Sequence, residues 1–156
     1  MQIGIPKETK NRELRVALSP DVVKNLTGAG FEIVVEKGAG TGSNFSDDMF
    51  QASGAKIESD LKNIYSQCDI ILSVNAPRTE EIALMKRNGV LICFMWAATH
   101  PELVTACEKA GISSFSMDAV PRISRAQKMD ALSSQSNLAG YKTVLLGANA
   151  LGKIFP

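Results

Sequence analysis

Short apolar runs recur along the chain at Gln2 to Ile5, Phe31 to Val35, Ile70 to Val74, Val90 to Phe94 and Ile112 to Phe115. Each has the length of a strand buried on both faces. Helix signals stand between them. Ser19-Pro20-Asp21 offers a cap and a proline suited to the first turn, and Gly28 and Gly30 are stops. Thr79-Glu80-Glu81 opens a second helix that Lys86-Arg87 and Gly89 close, a charge order that complements the helix dipole at both ends. Pro101 to Ala110, stopped by Gly111, is a third. The last two intervals between strand centres are about 20 residues, the length of a compact βαβ crossover. The expected class is therefore α/β, doubly wound, with a largely parallel sheet and helices on both faces.

From Met117 the texture changes. Met117 to Ala126 reads as a loop around Pro121, and from Gln127 no proline interrupts the chain until its last residue. This divides the sequence into an α/β domain over 1–126 and a long linker helix over 127–156. Tyr141, Val144, Leu145, Ala148, Leu151 and Phe155 fall at helical spacing and predict one continuous apolar stripe. The chain stops with the stripe still running, which reads as a piece of a longer protein.

Composition removes several function classes. Seventeen basic residues against 16 acidic ones leave a net charge of +1, far from the basic excess of a nucleic-acid binder. The N-terminus reaches Lys7 and Glu8 before any long apolar stretch, and the longest apolar run, Gly89 to Ala98, is about half of a membrane span, so neither a signal peptide nor a spanning helix is predicted. Cys68, Cys93 and Cys107 are an odd number without CxxC spacing and read as buried thiols in a reducing compartment. His100 is the sole histidine and lies beside Pro101 at a helix start, which leaves no metal cluster and no plausible Ser-His-Asp triad.

Two glycine patterns invite nucleotide readings. Gly38-Ala39-Gly40-Thr41-Gly42-Ser43 follows a strand, with Glu58 about 20 residues on, but it lacks the third fingerprint glycine, and Asn44-Phe45-Ser46-Asp47 restarts the chain with a new cap. It reads as a strand-to-helix loop. Gly147 to Ile154 matches a P-loop except at its last place, where Ile154 cannot ligate Mg²⁺, and reads as helix interior.

The densest mixture of donors and acceptors is Pro121 to Gln135, just past the carboxyl end of a strand, where doubly wound folds place ligands. Arg122 can grip a phosphate or carboxylate bidentately, and Gln127 and Asp130, one helical turn apart, can address the same ligand. The competing reading is a solvated loop with an N-cap. Arg15, beside Leu14 and Val16-Ala17-Leu18, is either paired in the core or turned to an anion in a cleft.

Ile3-Gly4-Ile5-Pro6-Lys7-Glu8, Arg12 and Arg15-Val16-Ala17-Leu18-Ser19-Pro20 together resemble the opening of the alanine dehydrogenase/transhydrogenase N-terminal domain family. Val120 to Gln127, Met129 to Ser134 and Ala139-Gly140-Tyr141 resemble its transhydrogenase α-subunit branch, and the likeness spans the whole chain. Two positions depart from the alanine dehydrogenase pattern: Asn75 stands where those enzymes keep a substrate lysine, and Trp96 where they keep a catalytic histidine. Neither replacement can do acid-base chemistry on an amino or keto acid.

The resemblance implies a component that holds NAD(H) in a cleft between this domain and a following Rossmann domain, and exchanges hydride with NADP(H) on a partner component. Transfer is coupled to proton movement through a membrane component. It further implies a cofactor-binding set of Arg122, Ser124, Gln127, Asp130 and Ser133, with Gln127 and Asp130 placing the nicotinamide end for hydride transfer. No metal is implied. The chain would be a soluble, peripheral part of a complex on the cytoplasmic face of the inner membrane, homo-oligomeric and inactive alone. A divergent alanine dehydrogenase-like oxidoreductase and a non-catalytic interaction module are the alternatives.

Overall fold

The computed structural model describes residues 1–154. The chain divides into two compact units, one over Met1–Ser116 and one from Met117 onward. In the first unit the elements are β1 (Gln2–Ile5), α1 (Pro20–Gly28), β2 (Glu32–Glu36), α2 (Asp47–Ala52), β3 (Lys56–Glu58), α3 (Leu61–Gln67), β4 (Ile70–Asn75), α4 (Thr79–Ile82), β5 (Val90–Phe94), α5 (Pro101–Ala110) and β6 (Ser113–Ser116). The six strands form one sheet in the order β3-β2-β1-β4-β5-β6, and every pairing is parallel. That order is the doubly wound one, with its direction of growth reversing between β1 and β4.

Side chains alternate across this sheet into two cores. Ile64, Tyr65, Ile71, Ile82, Leu91 and Cys93 fill one face, and Ile3, Ile5, Val23, Ile33, Val35 and Phe50 fill the other. Helix α3 approaches β1 closely enough that a Cβ on Gly4 would stand 2.7 Å from Ile64 Cγ2, so only glycine fits there. All three cysteines are buried, and none forms a disulfide among the described residues. Among the described residues no helix is long and apolar enough to cross a membrane.

α1 and α5 start and stop where expected, α1 without a side-chain cap bond from Ser19 and α5 ending on Gly111 in the left-handed conformation (φ 66°). Three elements differ from expectation. Helix α4 covers only Thr79–Ile82 and stops short of Lys86. Lys86, expected to complement its dipole, instead pairs with Asp69 at 2.6 Å, outside the helix. No apolar run announces strand β3, because Lys56-Ile57-Glu58 is short and mostly charged, as suits a protected edge. The long helix begins at Ala131, not Gln127: Ser124–Met129 form a 3₁₀ helix, and Asp130 then caps α6 (Ala131–Ala150).

The end of α6 also differs from expectation. Tyr141, Val144, Leu145 and Ala148 lie on it, but Leu151 is the residue after its last turn, and Phe155 lies outside the described residues. Leu146, five positions from Tyr141, is apolar and exposed on another face, so apolar side chains are not confined to the stripe. The Gly147 segment is helix through Ala150, as the reading against a P-loop requires. Gly38 to Ser43 ends in a 3₁₀ turn followed by α2, capped by Ser46. Gly40 and Gly42 serve packing, since their Cβ atoms would meet Phe50 at 2.6 Å and the Leu14 carbonyl at 2.7 Å, whereas Gly38 takes a left-handed backbone (φ 74°).

Candidate functional site

In the second unit, Arg122, Ser124, Gln127 and Ser133 are exposed and Asp130 is buried, at 8% exposure. Asp130 is held from both sides of its carboxylate. Ser133 N–H donates to Oδ1 at 2.9 Å and Ser133 Oγ–H donates to Oδ2 at 2.5 Å. These bonds, helped by the nearby positive charge of Arg122, hold its pKa below the ordinary carboxylate value. The structure thus gathers Arg122, Asp130 and Ser133 into one charged cluster at the start of α6.

Gln127 and Asp130 are not on one α-helix. Gln127 lies in the 3₁₀ helix and Asp130 closes it, its N–H donating to the Gln127 carbonyl at 3.3 Å. Three residues per turn still place such positions on one side. The Gln127 side-chain amide and the Ser124 hydroxyl make no side-chain hydrogen bond with the described residues. Chemically, the segment offers a guanidinium for an anion, a free amide for a planar carboxamide, and a carboxylate with lone pairs left for a hydroxyl.

The first unit carries another polar constellation, past the carboxyl ends of β1 and β4 where the strand order turns. Glu8 accepts from Val74 N (2.6 Å), Asn75 N (3.2 Å) and Asn75 Nδ2 (2.9 Å). The same Asn75 amide reaches Glu13 at 3.0 Å, and Glu13 pairs with Arg15 at 2.7 Å. Arg15 is therefore neither a core residue nor free for a cleft anion; its half-exposed side chain is bound by Glu13. Hydrogen bonds from Arg15 hold the Glu13 pKa down to about 2. Trp96, just past β5, is half exposed with a left-handed backbone (φ 52°). Its carbonyl accepts from Thr99 N (2.9 Å), Thr99 Oγ1 (3.0 Å) and His100 N (3.0 Å), which fixes this unfavourable conformation.

A cleft of about 460 Å³ opens at the same turning point, with Lys7, Lys10, Tyr65, Ser73 and Arg78 in its wall. Sequence reasoning missed it. Its signal was the placement of Pro6-Lys7-Glu8 and Asn75-Ala76-Pro77-Arg78 directly after two strands that the fold makes neighbours at the switch point.

The profile described as "Alanine dehydrogenase/PNT, N-terminal domain" matches residues 4–139. The chain is 48% identical over 161 aligned positions to an NAD(P) transhydrogenase alpha-subunit protein of Rhodospirillum rubrum, a match covering 100% of this chain and 42% of that protein. It is 44% identical over 155 positions to NAD(P) transhydrogenase subunit alpha of Haemophilus influenzae, covering 99% of this chain and 30% of that one. Among solved structures, the transhydrogenase from Sinorhizobium meliloti superposes with a TM-score of 0.92 at 38% identity, over 100% of this chain and 46% of that chain. The chain spans less than half the length of each of these proteins.

Proposed function

The chain belongs to the alanine dehydrogenase/PNT N-terminal domain family, and from that premise we propose that it is the N-terminal part of the NAD(H)-handling component of a proton-translocating NAD(P) transhydrogenase. The cluster at the start of α6 carries this reading. Arg122 supplies an anion grip, Gln127 an uncommitted amide, and Asp130 an ionised carboxylate positioned by Ser133. This donor set fits a nicotinamide nucleotide, whose phosphate, carboxamide and ribose hydroxyls need those partners. Ser124, exposed at the head of the 3₁₀ helix, would add a hydroxyl to this set.

NAD(H) would supply the hydride itself, and NADP(H) on a partner component would exchange it. The work left to these residues is positioning. Arg122 anchors, Gln127 and Asp130 fix the orientation of the reacting end, and Ser133 keeps Asp130 in place. A following Rossmann domain would hold the pyrophosphate, and a membrane component would carry the protons.

An alanine dehydrogenase activity is disfavoured by what occupies the substrate positions. The Asn75 amide is spent on Glu8 and Glu13, leaving no cation for a carboxylate, and the Trp96 indole has no acid-base proton to exchange. The proposal includes self-association through α6, whose Leu138, Tyr141, Val144, Leu145 and Leu146 are exposed together. The test is an assay of the chain joined to its partner components. Hydride transfer from NADH to an NADP⁺ analogue is expected, with no alanine-dependent reduction of NAD⁺. Alanine-dependent reduction, or no transfer in the assembled complex, would overturn the proposal.

A further inference from the structure

The cleft between the ends of β1 and β4 and helices α3 and α4 contains polar groups that the fold does not use. Its carboxylates are committed: Glu8 to the Val74 and Asn75 N–H groups, and Glu81 to Arg78 N (2.8 Å) and Nη2 (2.7 Å). Its hydroxyls are not. Ser73 Oγ is buried with no hydrogen-bond partner, and it lies in β4 between Leu72 and Val74. Tyr65, only 3% exposed, packs its ring in the core, and its hydroxyl makes no hydrogen bond with the described residues. Buried hydroxyls are nearly always bonded, so the orphaned Ser73 Oγ, with the unbonded Tyr65 hydroxyl in the wall of the same cleft, marks a place for a missing partner.

The charges divide in a matching way. Lys7 and Lys10 stand at the exposed side of the cleft, and neither ammonium joins an ion pair among the described residues. Deeper in, burial and the negative charges of Glu81, Glu36 and Glu8 push the Tyr65 pKa upward, so its phenol stays protonated and can donate. An anion is therefore welcome at the lysines and repelled from the floor, where a neutral hydroxyl is suited.

We propose that this cleft binds a small hydroxylated organic anion, its charged head on Lys7 and Lys10 and its hydroxyls on Tyr65 and Ser73. None of the residues assigned to the dinucleotide takes part, so the two assignments fail independently. The charged head is a phosphate or a carboxylate, two chemistries that the same lysines can bind.

The test is NMR titration of the ¹⁵N-labelled full chain with glycerol 3-phosphate, glycerate and inorganic phosphate. Saturable shifts are expected at the amides of Lys7 to Lys10, Tyr65, Ser73 and Asn75 to Arg78 with at least one of the two hydroxylated probes, and the probe that binds identifies the head group. Tyr65→Phe should weaken that probe about fivefold while leaving inorganic phosphate unchanged, which a mere loss of packing would not do. Lys7→Gln with Lys10→Gln should weaken the hydroxylated probe and inorganic phosphate alike, by about tenfold. Absence of saturable shifts with both hydroxylated probes in the tens of millimolar would overturn the proposal. So would a Tyr65→Phe effect equal for the hydroxylated probe and inorganic phosphate. NADH titration of the same samples reports separately on the dinucleotide assignment.

Discussion

The interior strands of Met1–Ser116 send side chains into two buried cores, whereas α6 runs 20 residues without burying one of them. Both regions are apolar in composition, and the difference lies in arrangement. In the sheet, alternate residues face alternate cores, so a few fully buried side chains such as Ile5, Phe50 and Leu91 account for much of the stability. In α6, Leu138, Tyr141, Val144, Leu145 and Leu146 are all exposed, and only the first turn, with half-buried Ala131 and Leu132, packs against another part of the chain, the 3₁₀ turn Met117–Ala119. Most helical stability in proteins comes from packing an apolar face, and none of the α6 side chains is buried. The sheet is a finished structure, and on the proposed reading α6 is a surface offered to a partner.

Truncation mutants should separate the two regions sharply. Phe50→Ala empties a site at 0% exposure and removes the edge-on contact with Phe45, so urea unfolding should show a loss of about 3–5 kcal/mol. Leu145→Ala should change the unfolding free energy of the monomer by no more than about 0.5 kcal/mol. Equal losses would break the comparison. Overfilling should follow the same division. Gly4→Ala inserts a methyl 2.7 to 2.9 Å from Ile64, Cys68 and Ile71 and should cost about 1–3 kcal/mol. Gly140→Ala meets nothing within 4 Å and should raise the melting temperature of α6, followed by circular dichroism, through a gain of about 1 kcal/mol.

Association sharpens the contrast from the other side. Light scattering should find a dimer or larger species, and Leu145→Glu should shift it toward monomer by placing charge in the seam. A clean monomer across a hundredfold range of concentration would mean that α6 is not a self-association surface.

The smallest effect concerns acid. Glu13 titrates near 2 when folded and at its ordinary 4.5 when unfolded, so its pairing with Arg15 is fully stabilising above 4.5 and is lost as pH falls toward 2. Arg15 is half exposed, which keeps the contribution small. Glu13→Gln should flatten the pH dependence of stability between those values and lower stability slightly at neutral pH, where the pairing is fully present.

Most of the sheet is legible in the sequence, and only part of the site. β1 and β5 begin and end where the apolar runs do, because buried parallel strands carry their signal in every residue. β3 escapes because two of its three residues are charged and its pairing with β2 is a tertiary fact. The start of α6 lies four residues past the expected one, at Ala131 and not Gln127, since the Asp130 cap competes with helix propensity and wins through its bonds to Ser133. The polar run holding Arg122, Gln127 and Asp130 is legible as a run. The cleft is not, because Tyr65 and Ser73 are embedded in Leu61–Gln67 and Ile70–Asn75, and only the strand order brings them beside Lys7 and Lys10.

Single-turnover hydride transfer in the assembled complex, comparing the native chain with Gln127→Ala, tests the central claim most directly. The Gln127 side chain makes no hydrogen bond among the described residues, so its loss leaves the fold intact and removes only what it offers a ligand. The rate should fall by about tenfold or more while the NADH dissociation constant changes much less, because positioning is felt most in the transition state. An unchanged transfer rate would contradict the account.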